Sequence, residues 1–169
     1  MNEIPVLAFD SFVIIRNTSQ VHDDFIMHRL SLVPVKCSDV VDGFRMPPCK
    51  NSCPKCSITF YLNITNNDQQ ILNVRTSHFE NSNNRLFEDI IIVKLNKNDT
   101  ITLEASTVKG IGKMHAKFYA CNVYMNYDVR TMNPSEFNFE IETLGSLTPE
   151  KILKSGLKIY SEKYKLPLF

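Results

Sequence analysis

Three closely spaced cysteines offer the clearest chemistry in this sequence. Cys49, Cys53 and Cys56 form a CxxxCxxC pattern in the segment PPCKNSCPKCS, where prolines keep the chain open. Thiolates at this spacing can converge on one soft cation, and Zn²⁺ binds cysteine sulfur at about 2.3 Å. Cys37, twelve residues before Cys49, lies within the range of separations that zinc sites use and is the candidate fourth ligand. The sequence therefore predicts a structural zinc site, with a degenerate site of free thiols as the alternative.

Two other interpretations of the cysteines are weaker. CxxxCxxC is also the spacing with which radical enzymes hold an iron–sulfur cluster for S-adenosylmethionine, but only about 110 residues follow the motif. That length is too short for the barrel that such enzymes need. Cys121 alternates with Tyr119 and Val123 along a predicted strand, so we interpret it as a small core residue.

The histidines do not assemble into a second metal or catalytic site. His22 and Asp23 form an HD pair, as in some metal-dependent phosphohydrolases, but none of the four histidines stands at the spacing of a second ligand motif. We therefore interpret His22 and His28 as residues of a helix surface or end. His115 is interpreted as a loop or interface residue rather than a general base.

The segment KGIGK has a weak likeness to a phosphate-binding loop. It has neither a third glycine nor a GK[ST] ending, so Gly110 and Gly112 do not define such a loop. Lys109, Lys113 and Lys117 form a small basic cluster that is able to touch a phosphate backbone, although the balanced total charge favours a solvated or subunit-contacting loop. No Ser/His/Asp or Cys/His nucleophilic set can be assembled.

The composition indicates a chain with a core and with no strong electrostatic preference. At 169 residues, 43% of them hydrophobic, the chain is long enough for one compact domain or two small ones. The formal charge of +1 gives no general reason to expect tight binding to nucleic acid or membranes. No apolar run approaches the roughly 18 residues of a membrane span, and the first residues do not resemble a signal peptide. We expect a soluble intracellular protein that serves DNA only indirectly.

The first predicted elements are a strand and a short helix. Leu7 to Arg16 is rich in β-branched and aromatic residues and predicts a strand. The helix follows in NTSQVHDDFIMHRLSLVPV, with Thr18 or Ser19 as its N-cap and Pro34 as its stop. Its apolar stripe consists of Val21, Phe25 and Leu32, widened by Ile26 and Leu30.

The middle of the chain reads as mostly β and the end as a strand and a helix. Residues 66–88 are polar and predict loops, while Asn98 and Asp99 predict a hairpin turn. The final helix has Thr148 as its N-cap and Pro149 in its first turn. The predicted strands are Ser57 to Ile64, Ile90 to Leu95, Thr100 to Ser106, Ala116 to Tyr127 and Phe137 to Thr143. The stripe of the final helix consists of Leu153, Leu157, Tyr160 and Tyr164.

Four collinear segments resemble the third-largest subunit of eukaryotic RNA polymerase II and the D-type subunit of archaeal RNA polymerase, and more distantly bacterial alpha. The helix segment resembles the DEFIAHRLGLIPL signature of that family, and EIPVLAFDSFVIIRNTS resembles the strand before it. IIVKLNKNDTITLEASTVKGIGKMHAKF resembles the second signature of the family, and FNFEIETLGSLTPEKILKSGLKI resembles its returning strand and helix.

The order of elements and the resemblance imply the same α+β architecture. Residues 1–35 plus 135–169 are expected to form a discontinuous dimerisation domain like that of the alpha subunit, and residues 36–134 an inserted β-rich domain with the cysteine loop. The family usually has a strand and a long helix before the first segment, so this domain is expected to lack the usual first helix. Three explanations stay open: another chain supplies the segment, the protein is a reduced form, or the sequence is incomplete.

The resemblance implies a non-catalytic assembly subunit of a multisubunit DNA-dependent RNA polymerase. Such a subunit pairs with a small L-type subunit, contacts small zinc-binding subunits and docks the second-largest catalytic subunit. Family members often bind zinc through four cysteines, three of which match Cys49, Cys53 and Cys56. The residues expected at the pairing interface are Val21, Phe25, Leu30, Leu153, Leu157 and Tyr160.

The sequence leaves the cellular location and one alternative function open. The resemblance implies the nucleus for a cellular eukaryotic protein, and the cytoplasm or a virion for a viral or plasmid-encoded one. The alternative to a polymerase subunit is a free-standing zinc-binding nucleic-acid or regulatory module that uses the cysteines and the lysines of residues 109–117. An enzyme is the weakest hypothesis.

Overall fold

The computed structural model describes residues 2–46, 53–80, 84–87, 89–126 and 137–165. Within these ranges the chain has both helices and strands, which confirms the predicted α+β class. Neither α-helix in the described part has the length and apolar character needed to cross a lipid bilayer. In chain order the elements are β1 (Pro5–Asn17), α1 (Asp23–Ser31), β2 (Thr59–Thr65), β3 (Leu72–Arg75), β4 (Ile91–Leu95), β5 (Thr100–Ile111), β6 (Cys121–Asn126), β7 (Asn138–Thr143) and α2 (Pro149–Tyr164).

β5 is the central strand of the largest sheet. It pairs in antiparallel fashion with β1 on one side and β2 on the other. Phe12 of β1, Ala105 of β5 and Phe60 of β2 are aligned across the sheet, so their side chains share one face. β3 pairs with β4, and β6 pairs with β7, to give two further antiparallel sheets.

α1 begins later than the sequence predicts. His22 is its N-cap, and the His22 Nδ1 atom accepts a hydrogen bond from the Asp24 N–H at 3.3 Å. The predicted cap Thr18 instead continues from β1, because its N–H donates to the Thr100 carbonyl at 3.0 Å. The first turn carries Asp23 and Asp24 and the last turn carries His28 and Arg29, an arrangement that opposes the helix dipole. The helix ends at Ser31, ahead of Pro34.

α1 packs into the larger of two clusters of buried side chains, which we call the first core. Ile26 and Leu30 are fully buried there, whereas Phe25 and Leu32 are exposed and Val21 packs partly against it. The buried side of α1 is therefore centred on Ile26 and Leu30, which the sequence analysis places at the edge of the predicted apolar stripe. The first core contains Phe9, Ile26, Leu30, Val33, Val35, Phe60, Leu62, Val74, Phe79, Leu86, Ile92, Val93, Leu95, Ile101, Leu103 and Ala105.

The smaller cluster, called the second core, lies around the start of β1 and the inner side of α2. It includes Cys121, which confirms the interpretation of that cysteine as a core residue. β1 contributes to both cores, since its first residues face the second core and Phe9 faces the first. The second core contains Ile4, Val6, Leu7, Ala8, Cys37, Val41, Phe118, Ala120, Cys121, Leu147 and Ile152.

Each of the two cores contains residues from both predicted domains. α1 belongs to the predicted range 1–35 but shares the first core with β2 to β5, which belong to 36–134. Likewise, Phe118 and Cys121 lie in 36–134 but pack with Ile152 of α2. The boundaries 1–35 plus 135–169 and 36–134 stay predictions, because packing alone does not define domains.

Several local predictions are wrong in detail. β3 lies inside the range 66–88 that the sequence predicts as loops, and only Val74 of its four residues is buried. Asn98 and Asp99 do form a turn, with Asn98 at φ 65°, but β4 and β5 on either side pair with different strands, so the turn is not a hairpin. β5 continues to Ile111 instead of stopping at Ser106.

Candidate subunit interface and cysteine loop

α2 is anchored at its first turn. The Thr148 hydroxyl accepts a hydrogen bond from the Lys151 N–H at 3.4 Å, and Pro149 follows the cap, both as the sequence predicts. The Thr148 N–H donates to Ser38 Oγ at 2.9 Å, and Lys151 forms an ion pair with Asp42. The hydrogen bond from Lys151 holds the pKa of the Asp42 carboxyl below its ordinary value. The segment that follows α1 therefore fixes where α2 starts.

A second anchor holds the far half of α2. Glu3 forms an ion pair with Lys113, and its Oε1 atom lies 3.3 Å from Nζ of Lys163 on α2. Hydrogen bonds from Lys113 and Lys163 lower the pKa of Glu3. Between the two anchors, Ile152 is fully buried in the second core and Ile159 packs against it. The contacts at both ends fix which side of α2 faces the rest of the chain.

The α2 face is the row of large side chains that the anchored helix leaves outside, and it consists of Leu153, Leu157, Tyr160 and Tyr164. Their exposed fractions are 47%, 55%, 55% and 57%. Positions i, i+4, i+7 and i+11 share one side of a helix, so the four form a continuous stripe. The ring centroids of Tyr160 and Tyr164 are 4.5 Å apart. An exposed apolar stripe of this kind is typical of a protein–protein contact.

The other three predicted interface residues lie on or beside α1 and do not form an equivalent surface. Leu30 is fully buried in the first core, and Val21 packs partly against that core. Phe25 is 68% exposed. The structure therefore brings Leu153, Leu157 and Tyr160 together on one surface and leaves Phe25 on another element.

Cys53 and Cys56 face each other in a tight turn. Their Sγ atoms are 3.3 Å apart, and the Cys56 N–H donates to the Cys53 carbonyl at 2.8 Å. Two thiolates bound to one tetrahedral Zn²⁺ lie about 3.8 Å apart, so this pair fits a zinc site with little movement. Cys49, the third predicted ligand of the motif, lies outside the described residues. Among those that are described, no group of three or more His, Cys, Asp or Glu side chains converges.

Cys37 lies in the second core and not beside the cysteine loop. Its Sγ atom accepts a hydrogen bond from the Leu7 N–H at 3.5 Å and donates to the Ser146 carbonyl at 3.4 Å. Burial raises the pKa of the Cys37 thiol to about 11. A role as fourth zinc ligand would require the thiol to lose its proton, break both hydrogen bonds and leave the core.

The three lysines of the predicted basic cluster are bound within the chain. Lys109 Nζ donates to the Phe44 carbonyl at 3.0 Å, and Lys113 pairs with Glu3. Lys117 forms an ion pair with Asp10 while its Nζ atom donates to the Phe9 carbonyl at 3.0 Å. These contacts tie the end of β5 and the turns after it to Phe44, to Glu3 just before β1, and to β1 itself. They leave little of the cluster for a phosphate backbone.

The two glycines of KGIGK make room for aromatic rings. A Cβ atom at Gly110 would lie 2.6 Å from the ring of Phe118, and one at Gly112 would lie 2.6 Å from the ring of Tyr119. Glycine at positions 110 and 112 is therefore explained by the packing of these two rings and not by a phosphate site. His115 caps the intervening 3₁₀ turn, because its Nδ1 atom accepts the Lys117 N–H at 3.1 Å, in line with its interpretation as a loop residue.

The contacts that join the two cores were missed by sequence reasoning. Arg85 donates to both oxygens of the Asp39 carboxylate at 2.9 and 3.0 Å, and the Nζ atom of Lys36 lies 4.5 Å from the ring centroid of Phe87. Gly145 has φ 101°, and a Cβ atom there would lie 2.8 Å from Phe87. These residues are far apart in sequence, so no local pattern connects them. The one local signal is Gly145 itself, because a glycine between β7 and α2 suggests a turn with positive φ.

The comparisons with known proteins point in one direction. The model of the RNA polymerase Rpb3/RpoA insert domain matches residues 13–123. The chain belongs to the Rpb3/RpoA family of RNA polymerase subunits. It is 31% identical to the DNA-directed RNA polymerase subunit Rpo3 of Methanocaldococcus jannaschii over 96% of this chain and 75% of that protein. It is 27% identical to the DNA-directed RNA polymerase II subunit RPB3 of Schizosaccharomyces pombe over 95% of this chain and 73% of that protein.

The Rpb3/RpoA match agrees with the packing of α1. The matched range begins within β1 and includes α1 together with β2 to β5, which share the first core. The predicted insert begins at residue 36, after α1. The alignment with the Rpo3 subunit covers 96% of the chain, so the relationship is not confined to the first core.

Proposed function

We infer that this chain is a non-catalytic assembly subunit of a multisubunit DNA-directed RNA polymerase. One structural observation carries the inference within the Rpb3/RpoA family: the α2 face is held outward by anchors at both ends of the helix. A stripe of two leucines and two tyrosines is the composition expected of an interface centre. The work of this chain is then done by contacts with other subunits.

The chemistry of the described residues agrees with a role without catalysis. In the HD pair, His22 is an exposed helix cap and Asp23 accepts a hydrogen bond from the Asn17 amide, while the glycines of KGIGK make room for two aromatic rings. The alternative of a free-standing nucleic-acid or regulatory module is not supported by the comparisons. Because Lys109, Lys113 and Lys117 are bound within the chain, we propose that DNA is served only indirectly.

The proposed partners are other polymerase subunits in a hetero-oligomer. We assign the α2 face to a small L-type subunit, because an apolar row of side chains on a helix of that subunit would pack against the apolar row on α2. Small zinc-binding subunits and the second-largest catalytic subunit are proposed to dock elsewhere on the chain. Phe25 and Leu32, exposed on and just after α1, are candidate contacts for one of them.

We propose that the cysteine loop holds a structural Zn²⁺ ion. The support is the pair of Cys53 and Cys56, whose Sγ atoms are 3.3 Å apart, together with the nearby Cys49 in sequence. When bound, the ion would cross-link a proline-rich loop and so stabilise it. The side chain of Cys37 is committed to the second core, which leaves the fourth ligand open.

The cellular location that we propose depends on whether the polymerase is encoded by a eukaryotic cell, a virus or a plasmid. A cellular eukaryotic subunit would act in the nucleus, where RNA polymerase II, the assembly of the fission yeast relative, works. A viral or plasmid-encoded polymerase would place it in the cytoplasm or a virion.

Affinity purification of the tagged full-length chain from its native source tests this function. We expect the two largest polymerase chains and a small partner subunit to copurify, as identified by mass spectrometry. Metal analysis of the same sample should give zinc that falls in the Cys53→Ser/Cys56→Ser variant. A monomeric protein that brings down no polymerase chain would refute the assembly role.

A further inference from the structure

The α2 face is bordered by lysines on both of its long sides. Successive residues of a helix are separated by about 100°, so the residues that follow the stripe members run parallel to the stripe. Three of those four positions hold exposed lysines and the fourth is Ser161, and two further exposed lysines stand on the opposite side of the stripe. The bordering residues are Lys154, Lys158 and Lys165 on one side and Lys113 and Lys163 on the other.

Among the described residues, three carboxylates stand beside these five lysines: Glu3, Glu162 and Glu150, which precedes Lys154 by one turn. Glu3 alone pairs with both Lys113 and Lys163. Lys158 lies 4.0 Å from Glu162, a distance at the limit of an ion pair. Within the described part of the chain, Lys154 and Lys165 form no ion pair at all. The border of the α2 face therefore carries a surplus of positive charge.

A groove continues the α2 face towards the start of β1. It has a volume of about 340 Å³ and lies between the far half of α2 and the first residues of the chain. Tyr160 and Tyr164 belong both to its lining and to the exposed stripe, and Lys113, Lys163 and the Glu3 carboxylate that they share also line it. The apolar stripe and the positive border therefore form one continuous surface.

We propose that the surface docking on the α2 face is an apolar stripe bordered on both sides by carboxylates, carried by another polymerase subunit. This rests on the proposed function and specifies the chemistry of the partner. Burying Leu153 and Leu157 requires an apolar surface, and desolvating the bordering ammonium groups without opposite charges would be unfavourable. Carboxylates on the rim satisfy both demands and select the correct partner.

The same charges disfavour two other occupants. A second copy of this chain in a two-fold interface would place the lysine border against itself, because such an interface uses the same patch twice. A nucleic acid would neutralise the lysines through its phosphates but would leave Leu153 and Leu157 without an apolar partner. An acidic-bordered protein surface fits both the stripe and its rim.

Two helical peptides with one leucine stripe, bordered by Glu in the first and by Lys in the second, provide the test. Binding to the full-length chain is measured by fluorescence anisotropy at low and high salt, with a single-stranded oligothymidylate as a third probe. We expect the Glu-bordered peptide to bind about tenfold more tightly than the Lys-bordered one at low salt, and the ratio to shrink as salt screens the charges.

Charge reversal with a matched control identifies the lysines responsible. Lys154→Glu/Lys158→Glu should reverse the order of the two peptides. Lys94→Glu/Lys97→Glu makes the same change in net charge at exposed positions on and after β4, and should leave the order unchanged.

Several results would overturn the inference. Equal affinity for the two peptides, or no binding of the Glu-bordered peptide, would show that the surface does not select carboxylates. Tighter binding of the oligothymidylate, lost in Lys154→Glu/Lys158→Glu, would indicate a nucleic-acid site instead. A wild-type dimer in sedimentation that Leu157→Glu dissociates would indicate a second copy of this chain. Copurified polymerase chains with equal peptide affinities would refute this inference alone. An acidic preference without any copurified polymerase chain would refute the proposed function alone.

Discussion

α1 and α2 are both short amphipathic helices that follow a β-strand, but they differ in where their apolar side chains go. α1 turns Ile26 and Leu30 into the first core, where both are fully buried among strands of the same chain. α2 buries Ile152 completely and leaves Leu153 and Leu157 half exposed beside it. The sequence predicts both helices as halves of one pairing surface, whereas in this structure only α2 presents an apolar stripe.

The difference shows what an amphipathic pattern can and cannot specify. Apolar residues at helical spacing indicate that one side of a helix is covered, but the pattern carries no information on what covers it. For α1 the cover is β1, the strand just before it, together with β4, which lies far along the chain. For α2 the chain itself covers only the side of Ile152 and Ile159. The rest of its apolar surface fits a second subunit.

Truncation of Leu30 should give the largest effect on stability. We expect Leu30→Ala to lower the free energy of unfolding by about 2–5 kcal/mol, because it leaves a cavity in the first core. Chemical denaturation followed by circular dichroism measures the change. Phe25→Ala, one turn earlier on the same helix, is the control and should cost less than about 1 kcal/mol. Equal losses for the two variants would mean that α1 does not pack as described.

Replacement of Cys37 should give an intermediate effect. Cys37→Ser puts a more polar group among apolar side chains of the second core, and we expect a loss of about 1–3 kcal/mol in the free energy of unfolding. Zinc content, measured on the folded variant by mass spectrometry, should stay at the wild-type value. A loss of zinc in this variant, with the fold intact, would instead identify Cys37 as a ligand.

The sequence predicts best those elements whose signals are local. The cap of α2 at Thr148 and its first-turn Pro149 are found as predicted, and the four residues of the predicted stripe lie on one side of the helix, because a capping hydroxyl and a helical period act over a few residues. β1 is also found, with ends shifted by one or two residues.

Features that depend on distant parts of the chain were not predictable from the sequence. The turn at Asn98 connects strands of two different sheets, and local sequence cannot show which strands will pair. β3 was missed because a short strand with one buried side chain has no clear alternation. Nor could the sequence show that Cys37 lies in the second core, since its hydrogen-bond partners Leu7 and Ser146 are far away in sequence.

The anchor at the start of α2 should give the smallest effect. The Lys151 ammonium lowers the pKa of Asp42 from its ordinary value of 3.8, so the stabilisation is complete above that value and is lost as pH falls through the lower pKa of the folded state. Because the Asp42 side chain is 72% exposed and solvent screens its charge, Asp42→Asn should lower stability by less than about 1 kcal/mol at neutral pH. Denaturation curves at pH 7 and at a series of lower pH values should show the difference between the two proteins shrink as the pH falls below 3.8. A difference that persists in acid would exclude the ion pair as its cause.

The central claim is that α2, and not α1, presents the pairing surface, and copurification of two matched variants tests it most directly. Leu157→Glu and Phe25→Glu each put a carboxylate at an exposed apolar position on one helix, and neither should lower the unfolding free energy by more than about 1 kcal/mol. We expect Leu157→Glu to copurify with at least tenfold less of the small partner subunit, because it removes an apolar side chain at the centre of the interface, and Phe25→Glu to retain that subunit. Retention of the small subunit by Leu157→Glu, or its loss in Phe25→Glu alone, would mean that α2 does not present the pairing surface.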